Sequence, residues 1–102
     1  MKTALTASKA GLAGLVRQLA VEWGPQGVRV NGIAPGFIDT AMSRKALDND
    51  PARKARVLTR TPLGRLGAVE EVAESAVFLS APSGSYITGV TLPVDGGTSI
   101  GF

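Results

Sequence analysis

Hydrophobic residues recur at the three- and four-residue spacing of an α-helix over the first part of the chain. The apolar stripe consists of Leu12, Leu15, Val16, Leu19, Ala20 and Trp23. It predicts an amphipathic helix over residues 3–23, which ends at Gly24-Pro25. A second strip of small residues consists of Ala7, Gly11 and Gly14. Because glycine destabilises a helix interior by about 1 kcal/mol relative to alanine, this small strip indicates close packing against another backbone.

Shorter patterns divide the rest of the chain among strands, helices and turns. In order, we predict a strand over 28–33, short helices near 41–47 and 51–59, a loop over 62–67, a helix over 69–81 and a last strand over 88–94. Pro51 suits the first turn of its helix, because the first helical N–H groups have no intrahelical partner. A strand–helix–strand order implies a right-handed crossover and parallel strands. The pattern therefore predicts the α/β class.

The predicted sheet is too small to cover the predicted helices. Parallel sheets normally contain several strands and are covered on both faces, and a two-stranded pairing is marginal in water. The helix over 69–81 adds an apolar face of its own, formed by Val69, Val72, Ala73, Ala76 and Val77. Both long helices therefore need a surface that these 102 residues do not supply. More chain, a partner or self-association would each provide it.

Composition places the chain among soluble globular proteins and removes several kinds of chemistry. The 102 residues suffice for one small domain, and 44% of them are hydrophobic and 19% charged. The sequence has no cysteine and no histidine, which excludes disulfides, thiolate nucleophiles and Ser-His or Cys-His arrangements. No run is apolar enough to span a membrane, and the N-terminus lacks the pattern of a signal peptide. We expect a cytoplasmic protein with no metal site and no membrane partner.

The net charge of +3 arises mainly in one segment. Residues 44–65 include Arg44, Lys45, Arg53, Lys54, Arg56, Arg60 and Arg65, and the acids among them are Asp48 and Asp50. A basic segment of this kind could bind phosphate groups. However, no aromatic side chains interleave with the charges to stack on bases. We therefore interpret the segment as the solvated surface of short helices and expect no nucleic-acid partner.

Four short motifs, spread in order over nearly the whole chain, carry a resemblance to a known family. They are Ala7-Ser8-Lys9-Ala10-Gly11 with Leu19-Ala20-Val21-Glu22, then Val28-Arg29-Val30-Asn31 leading to Pro35-Gly36-Phe37-Ile38-Asp39-Thr40, then Pro62-Leu63-Gly64-Arg65, and finally Ile87-Thr88-Gly89 with Val94-Asp95-Gly96-Gly97. Together they resemble the C-terminal portion of a classical short-chain dehydrogenase/reductase of the 3-oxoacyl-carrier-protein reductase kind. Lys9 matches the lysine of the family's Tyr-x-x-x-Lys signature, whereas Leu5 stands at the position of the tyrosine.

The resemblance implies a Rossmann-like, doubly wound parallel sheet and an NAD or NADP cofactor. Lys9 matches the lysine that binds the nicotinamide ribose and lowers the pKa of the catalytic tyrosine, so it is both the catalytic and a cofactor-binding candidate. Pro35 and Gly36 match a turn at the end of a strand, where ligands of open α/β sheets bind. The backbone of Ile38 and the hydroxyl of Thr40 match positions that contact the nicotinamide carboxamide and a nearby phosphate.

The family's Gly-rich dinucleotide fingerprint and its catalytic serine have no counterpart in these residues. Both precede the signature tyrosine in the family, so we expect a single partial domain over 1–102, with the N-terminal nucleotide-binding half absent. The resemblance implies NAD(P)(H)-dependent oxidoreduction of a carbonyl or alcohol, for which this chain alone is inactive until the missing half is supplied. The alternative is a non-catalytic, self-associating remnant or interaction module. We expect a homo-oligomer through the 3–23 helix and the 88–94 strand, because the corresponding elements build subunit contacts in the family.

Overall fold

The computed structural model describes the backbone of residues 2–100 and the side chains of residues 11–100. Its helices are α1 at Lys2–Trp23, α2 at Ala41–Asp48, α3 at Pro51–Arg60 and α4 at Val69–Ser80. Its strands are β1 at Gly32–Pro35, β2 at Ile38–Asp39, β3 at Gly67–Ala68 and β4 at Thr91–Val94. Each predicted helix is confirmed, and its ends agree with the prediction to within one residue.

The strands form two parallel pairs. In one pair β1 runs beside β4, because the Gly32 N–H donates to the Val90 carbonyl at 2.8 Å and the Gly36 N–H donates to the Val94 carbonyl at 3.0 Å. The bonded positions advance together along both strands, which makes the pairing parallel. In the other pair β2 lies parallel to β3. The predicted α/β class with parallel strands is therefore confirmed.

The strand predicted over 28–33 lies further along the chain than its sequence pattern indicates. β1 begins at Gly32 and extends through Pro35, which the prediction had placed in the turn after the strand. Pro35 is tolerated because it is the last residue of the strand, where its missing N–H removes no ladder bond. Of the β-branched residues that suggested the strand, Val28 and Val30 precede its ladder and Ile33 lies in it.

Side chains replace some of the backbone partners just before both of these strands. The Asn31 amide donates to the Ile87 carbonyl at 3.1 Å, and its oxygen accepts from the Val90 N–H at 3.2 Å. The Thr88 hydroxyl accepts from the Val30 N–H at 3.0 Å. Because side chains satisfy these groups, the regular ladder starts later than the periodicity suggests. For the same reason β4 is shorter than the strand that the sequence predicts over 88–94.

The described chain divides into two compact units. The first consists of Met1–Gly32 with Phe78–Leu92, and the second of Ile33–Val77 with Pro93–Phe102. The buried apolar side chains are few among the described residues. They are Ala20 and Leu79 in the first unit and Leu47 and Val57 in the second. Each unit therefore has only a small core of its own.

In the first unit, Arg29 ties the end of α4 to the segment before β4. Its Nη1 donates to the Leu79 carbonyl at 2.6 Å and to the Ile87 carbonyl at 3.1 Å. Leu79 lies in the last turn of α4, where carbonyls have no intrahelical partner and the helix dipole favours a cation. The guanidinium therefore stabilises a helix end and an irregular segment at once.

Both long helices keep exposed apolar faces. Leu12 and Leu15 on α1 are 63% and 52% exposed, and Val69 and Val77 on α4 are 50% and 66% exposed. Gly11, in the strip of small residues, has no neighbour from outside its own helix within 4 Å of where a Cβ would stand. The close packing predicted for this strip is therefore not formed within the described part of the chain. Exposed apolar surface of this kind often marks an interaction site.

None of the described helices has the length and apolar character needed to cross a bilayer. The residues that the structure describes also contain no group of three or more His, Cys, Asp or Glu side chains placed to hold a metal ion.

Candidate functional site

Four of the five site residues expected from the sequence lie along one segment of the second unit. Pro35 ends β1, Gly36 lies in the next turn, Ile38 is in β2, and Thr40 immediately precedes α2. Lys9 belongs to α1, and its side chain lies outside the described residues. The geometry of the site can therefore be built from the segment that follows β1.

The main chain of Ile38 presents both of its polar groups to one edge of β2. Ile38 lies opposite Gly67 of β3, and the Gly67 N–H donates to the Phe37 carbonyl at 2.9 Å. In a parallel ladder with this register, the N–H and C=O of Ile38 itself point away from β3. On that edge, the Ser43 hydroxyl donates to the Ile38 carbonyl at 2.7 Å. A donor and an acceptor thus lie side by side, held by the sheet on one edge and by α2 on the other.

Thr40 is the N-cap of α2 and forms a capping box with Ser43. The Thr40 hydroxyl accepts from the Ser43 N–H at 3.1 Å, and the Ser43 hydroxyl accepts from the Thr40 N–H at 2.8 Å. The box satisfies two N–H groups that a helix start otherwise leaves unpaired. Because a helix N-terminus carries a partial positive charge, Thr40 and the first turn of α2 lie where an anionic group would be attracted.

Gly36 is required by packing within the second unit. A Cβ at this position would lie 2.6 Å from the Cβ and 2.7 Å from the Cα of Asp95. The sequence suggested another reason for this glycine, namely the close approach of backbone to a ligand. The contact with Asp95 is enough to explain why this residue is a glycine, because two strand-end turns occupy the space that a side chain would need.

The carboxylate of Asp95 holds together the turn that follows β4. Hydrogen bonds from the Ser99 side chain and from the Gly97 N–H keep the pKa of Asp95 below its usual value. The backbone distances are 2.9 Å from Gly97 N to Oδ1 and 3.0 Å from Ser99 N to Oδ2. Both carboxylate oxygens are therefore engaged, so Asp95 acts as a clamp for its turn and not as a proton acceptor.

A cavity of about 450 Å³ opens beside Ile38 within the second unit. This volume is in the range of small-molecule sites. Three segments and one residue of α4 form its walls, and most of the lining is apolar. The lining residues are Phe37, Ile38, Pro62, Leu63, Arg65, Gly67, Glu71, Pro93, Val94, Asp95, Gly96 and Gly97.

An ion pair fixes the wall of this cavity that contains β3. Arg65 donates from Nη1 and Nη2 to the two carboxylate oxygens of Glu71, at 2.8 Å and 3.0 Å. Glu71 Oε1 also accepts from the Ala68 N–H at 2.8 Å. The hydrogen bonds from Arg65 and then from Ala68 lower the pKa of Glu71 to about 2. Because Ala68 belongs to β3, the ion pair helps to hold the strand that orients Ile38.

The acid sensitivity of the fold is expected to depend on Glu71. Its pKa is about 2 in the folded chain against a usual value of 4.5, so its contribution to stability is complete above pH 4.5 and is lost as the pH falls towards 2. Glu71→Gln should therefore reduce stability at neutral pH and flatten the loss of stability between these two pH values. Urea unfolding followed by circular dichroism at a series of pH values measures both effects.

Glu70→Gln is the matched control for this prediction. Glu70 lies next to Glu71 in the first turn of α4, but no ion pair among the described side chains involves it. Its substitution should leave the acid part of the stability profile as it is in the parent chain. If Glu71→Gln shows the same acid profile as Glu70→Gln, the ion pair does not have the assigned role.

Ser43, Arg65 and Glu71 support the site but were not among the residues expected from the sequence. A signal for Ser43 existed, since hydroxyl residues at 40 and 43 have the spacing of a capping box. Arg65 and Glu71 are six residues apart, which matches no local pattern of side-chain pairing. Their contact is created by β3 and the turn before it, so it could be seen only in the folded structure.

Comparisons with known proteins agree with this architecture. The family model described as enoyl-(acyl carrier protein) reductase matches residues 1–99. The chain is 46% identical over 96 residues to 3-oxoacyl-[acyl-carrier-protein] reductase of Pseudomonas aeruginosa, which covers 94% of this chain and 38% of that protein. It is 40% identical over 95 residues to a short-chain dehydrogenase of Neurospora crassa, covering 93% of this chain and 35% of the other.

A solved structure gives the same result for the fold. A protein from Agrobacterium tumefaciens assigned as a 2-deoxy-D-gluconate 3-dehydrogenase, with bound NADP, superimposes with a TM-score of 0.85 at 47% identity. The match covers 93% of this chain and 38% of that one. The chain therefore belongs to the short-chain dehydrogenase/reductase family and has the Rossmann-like fold of its C-terminal portion. It spans little more than a third of the length of these relatives, from 35% to 38%.

Proposed function

We propose that this chain forms the nicotinamide side of an NAD(P)(H) site in an oxidoreductase that acts on a carbonyl or alcohol substrate. The observation that carries the proposal is the main-chain N–H and C=O of Ile38, which lie side by side on one edge of β2. The carbonyl accepts from the Ser43 hydroxyl and keeps a second lone pair for a ligand. A carboxamide also has an acceptor oxygen and donor N–H groups, so the two pairs are complementary. Family membership supports the proposal, as does the NADP bound to the similar Agrobacterium protein.

Each expected site residue has a defined part in this proposal. The backbone of Ile38 would bind the carboxamide, Thr40 and the first turn of α2 would attract a phosphate, and Lys9 would hold the ribose hydroxyls. Pro35 and Gly36 fix the turn that carries Ile38, and the contact of Gly36 with Asp95 makes that turn rigid. The cofactor, when bound, supplies or accepts the hydride.

The proposed reaction also requires a proton donor. Carbonyl reduction needs a proton as well as a hydride, and Leu5 stands where the family has the tyrosine that delivers it. The sequence has no histidine and no cysteine, and the carboxylates at the cavity wall, Glu71 and Asp95, are already engaged by donors. We therefore propose that this polypeptide by itself does not catalyse the reaction and that other chain must supply the proton donor.

Nicotinamide mononucleotide tests the proposal at the residues that carry it. This ligand contains the carboxamide, the ribose and one phosphate, so it requires no adenine subsite. At millimolar concentration it should shift the backbone amide resonances of Ile38 and Thr40 in the isotope-labelled chain. Adenosine monophosphate, which has a phosphate but no carboxamide, is the control and should leave Ile38 unaffected. Equal shifts with both ligands, or shifts that spare Ile38, would count against the proposal.

A self-associating interaction module is the second candidate function, and the exposed helix faces favour it. Leu12 and Leu15 on α1, together with the apolar face of α4, offer surface that a second copy could cover. We propose a homo-oligomer formed through α1 and β4, the elements expected from the sequence to build subunit contacts. A cytoplasmic location is part of both proposals. A stable oligomer that shows no Ile38 shift with nicotinamide mononucleotide would favour the module over the cofactor site.

A further inference from the structure

Helix α3 carries a row of arginines along one flank. Arg53, Arg56 and Arg60 are separated by three and four residues, so they lie within about 60° of one another around the helix axis. All three are exposed, whereas Val57 on the adjoining side is buried at 8% exposure. The packing of Val57 therefore fixes the helix with its arginine row accessible to a partner.

The arginine row has no acidic partner within the described part of the chain. The ion pairs there join Arg44 to Asp39, Lys54 to Asp48 and Arg65 to Glu71. Asp50, a nearby acid, caps α3 by accepting from the backbone N–H of Arg53 at 3.1 Å. Like charges three and four residues apart destabilise a helix. Opposing charge from another molecule would therefore stabilise α3 as well as bind to it.

We propose that the arginine row binds an acidic helix of another protein, one with carboxylates at positions i, i+3 and i+7. Along α3 the successive arginines are about 4.5 Å and 6 Å apart in axial rise. Carboxylates at the same intervals on a second α-helix have the same spacing. A helix that lies along the row can thus pair each guanidinium with one carboxylate, in the bidentate geometry that arginine forms with carboxylates.

A nucleic acid fits the arginine row less well than an acidic helix does. The phosphates of a duplex strand wind around the helix axis, whereas the three arginines lie within about 60° of one another on one flank of α3. Nucleic-acid surfaces also place aromatic side chains between the charges for bases to stack on. Neither α2 nor α3 contains an aromatic residue. The row therefore has positive charges at helical spacing but lacks the aromatic side chains on which bases would stack.

Two helical peptides of identical composition test the spacing directly. Both are alanine-rich and labelled, with three glutamates at i, i+3 and i+7 in one peptide and at i, i+5 and i+10 in the other, so that no two glutamates of the second peptide match an interval of the row. Circular dichroism confirms that both are helical. The first peptide should bind the chain about tenfold more tightly, the combined effect of three exposed ion pairs of ordinary strength, and added salt should weaken it. No binding, equal binding of the two peptides, or tighter binding of a DNA duplex of equal charge would each overturn the proposal.

Matched variants show whether the arginine row is the surface involved. Arg53→Gln, Arg56→Gln and Arg60→Gln combined should weaken binding of the first peptide about tenfold and leave the circular dichroism spectrum of the chain intact. The control combines Arg17→Gln, Lys45→Gln and Lys54→Gln, which removes the same charge from exposed positions outside the row. Retained binding in the first variant, or an equal loss in the control, would contradict the assignment.

Discussion

Replacing Gly36 with alanine is expected to lower the free energy of unfolding by about 3 kcal/mol, the upper part of the range for adding a carbon to a packed site. The added Cβ would lie 2.6 Å from the Cβ and 2.7 Å from the Cα of Asp95. Asp95 cannot move aside cheaply, because its carboxylate accepts from the N–H groups of Gly97 and Ser99. The strain should also displace Ile38, two residues away, and so reduce the shift of its backbone amide resonance with nicotinamide mononucleotide.

Gly24→Ala is the control, and its effect on stability should have the opposite sign. A Cβ at Gly24 would have no heavy atom within 4 Å, and the backbone there does not have a positive φ, so alanine should stabilise the chain by up to about 1 kcal/mol. Urea unfolding of the two variants and the parent chain measures both changes. A loss below about 0.5 kcal/mol in Gly36→Ala, the range of an ordinary surface substitution, would show that the two turns do not press together as the structure has them.

Replacing Leu47 with alanine should cost about 3 kcal/mol, which is more than half of the free energy of unfolding expected for a chain with so small a core. Leu47, on α2, is only 6% exposed and is one of the few buried apolar side chains among the described residues. Leu→Ala substitutions in cores cost about 2 to 5 kcal/mol, because burial is lost and a cavity is left. Typical domains are stable by only about 5 to 15 kcal/mol. A chain with so small a core should lie at the low end of that range, so the loss is large in proportion.

Met42→Ala on the same helix is the matched control for Leu47→Ala. Met42 is 83% exposed, so its truncation should change stability by less than about 0.5 kcal/mol. Thermal and urea unfolding of both variants, at equal chain concentration, separate the two expectations. Similar losses in both variants would mean that α2 packs on a different face, or that Met42 is covered in an oligomer.

Helix positions could be predicted from the sequence because their signals are local. The apolar spacing of α1 and the Asp50-Pro51 start of α3 are contained within a few residues. The strand ends could not be predicted in this way. They depend on Asn31 and Thr88, whose side chains bond to groups 56 to 59 residues away in the sequence. No local pattern carries that information, so the expected strands were too early or too long.

The candidate site was predictable as a set of residues but not as an arrangement. The motif that leads to Thr40 placed Gly36 in the turn at a strand end, as the structure has it, whereas the short strand β2 that contains Ile38 was not predicted. The direction of the Ile38 main chain depends on pairing with β3, and β3 depends on the contact between Arg65 and Glu71. These contacts form between residues that no local sequence pattern connects, so the arrangement of the site could not be predicted from the sequence.

The central claim is that this chain holds the nicotinamide side of a cofactor site and does not bind the whole cofactor alone. Native mass spectrometry of the purified chain, recorded with excess NADPH and separately with excess NADH, tests it most directly. We predict a homo-oligomer whose mass includes no cofactor, because the sequence contains neither the Gly-rich fingerprint that binds the pyrophosphate nor the signature tyrosine. A species that carries one cofactor per chain would contradict the claim.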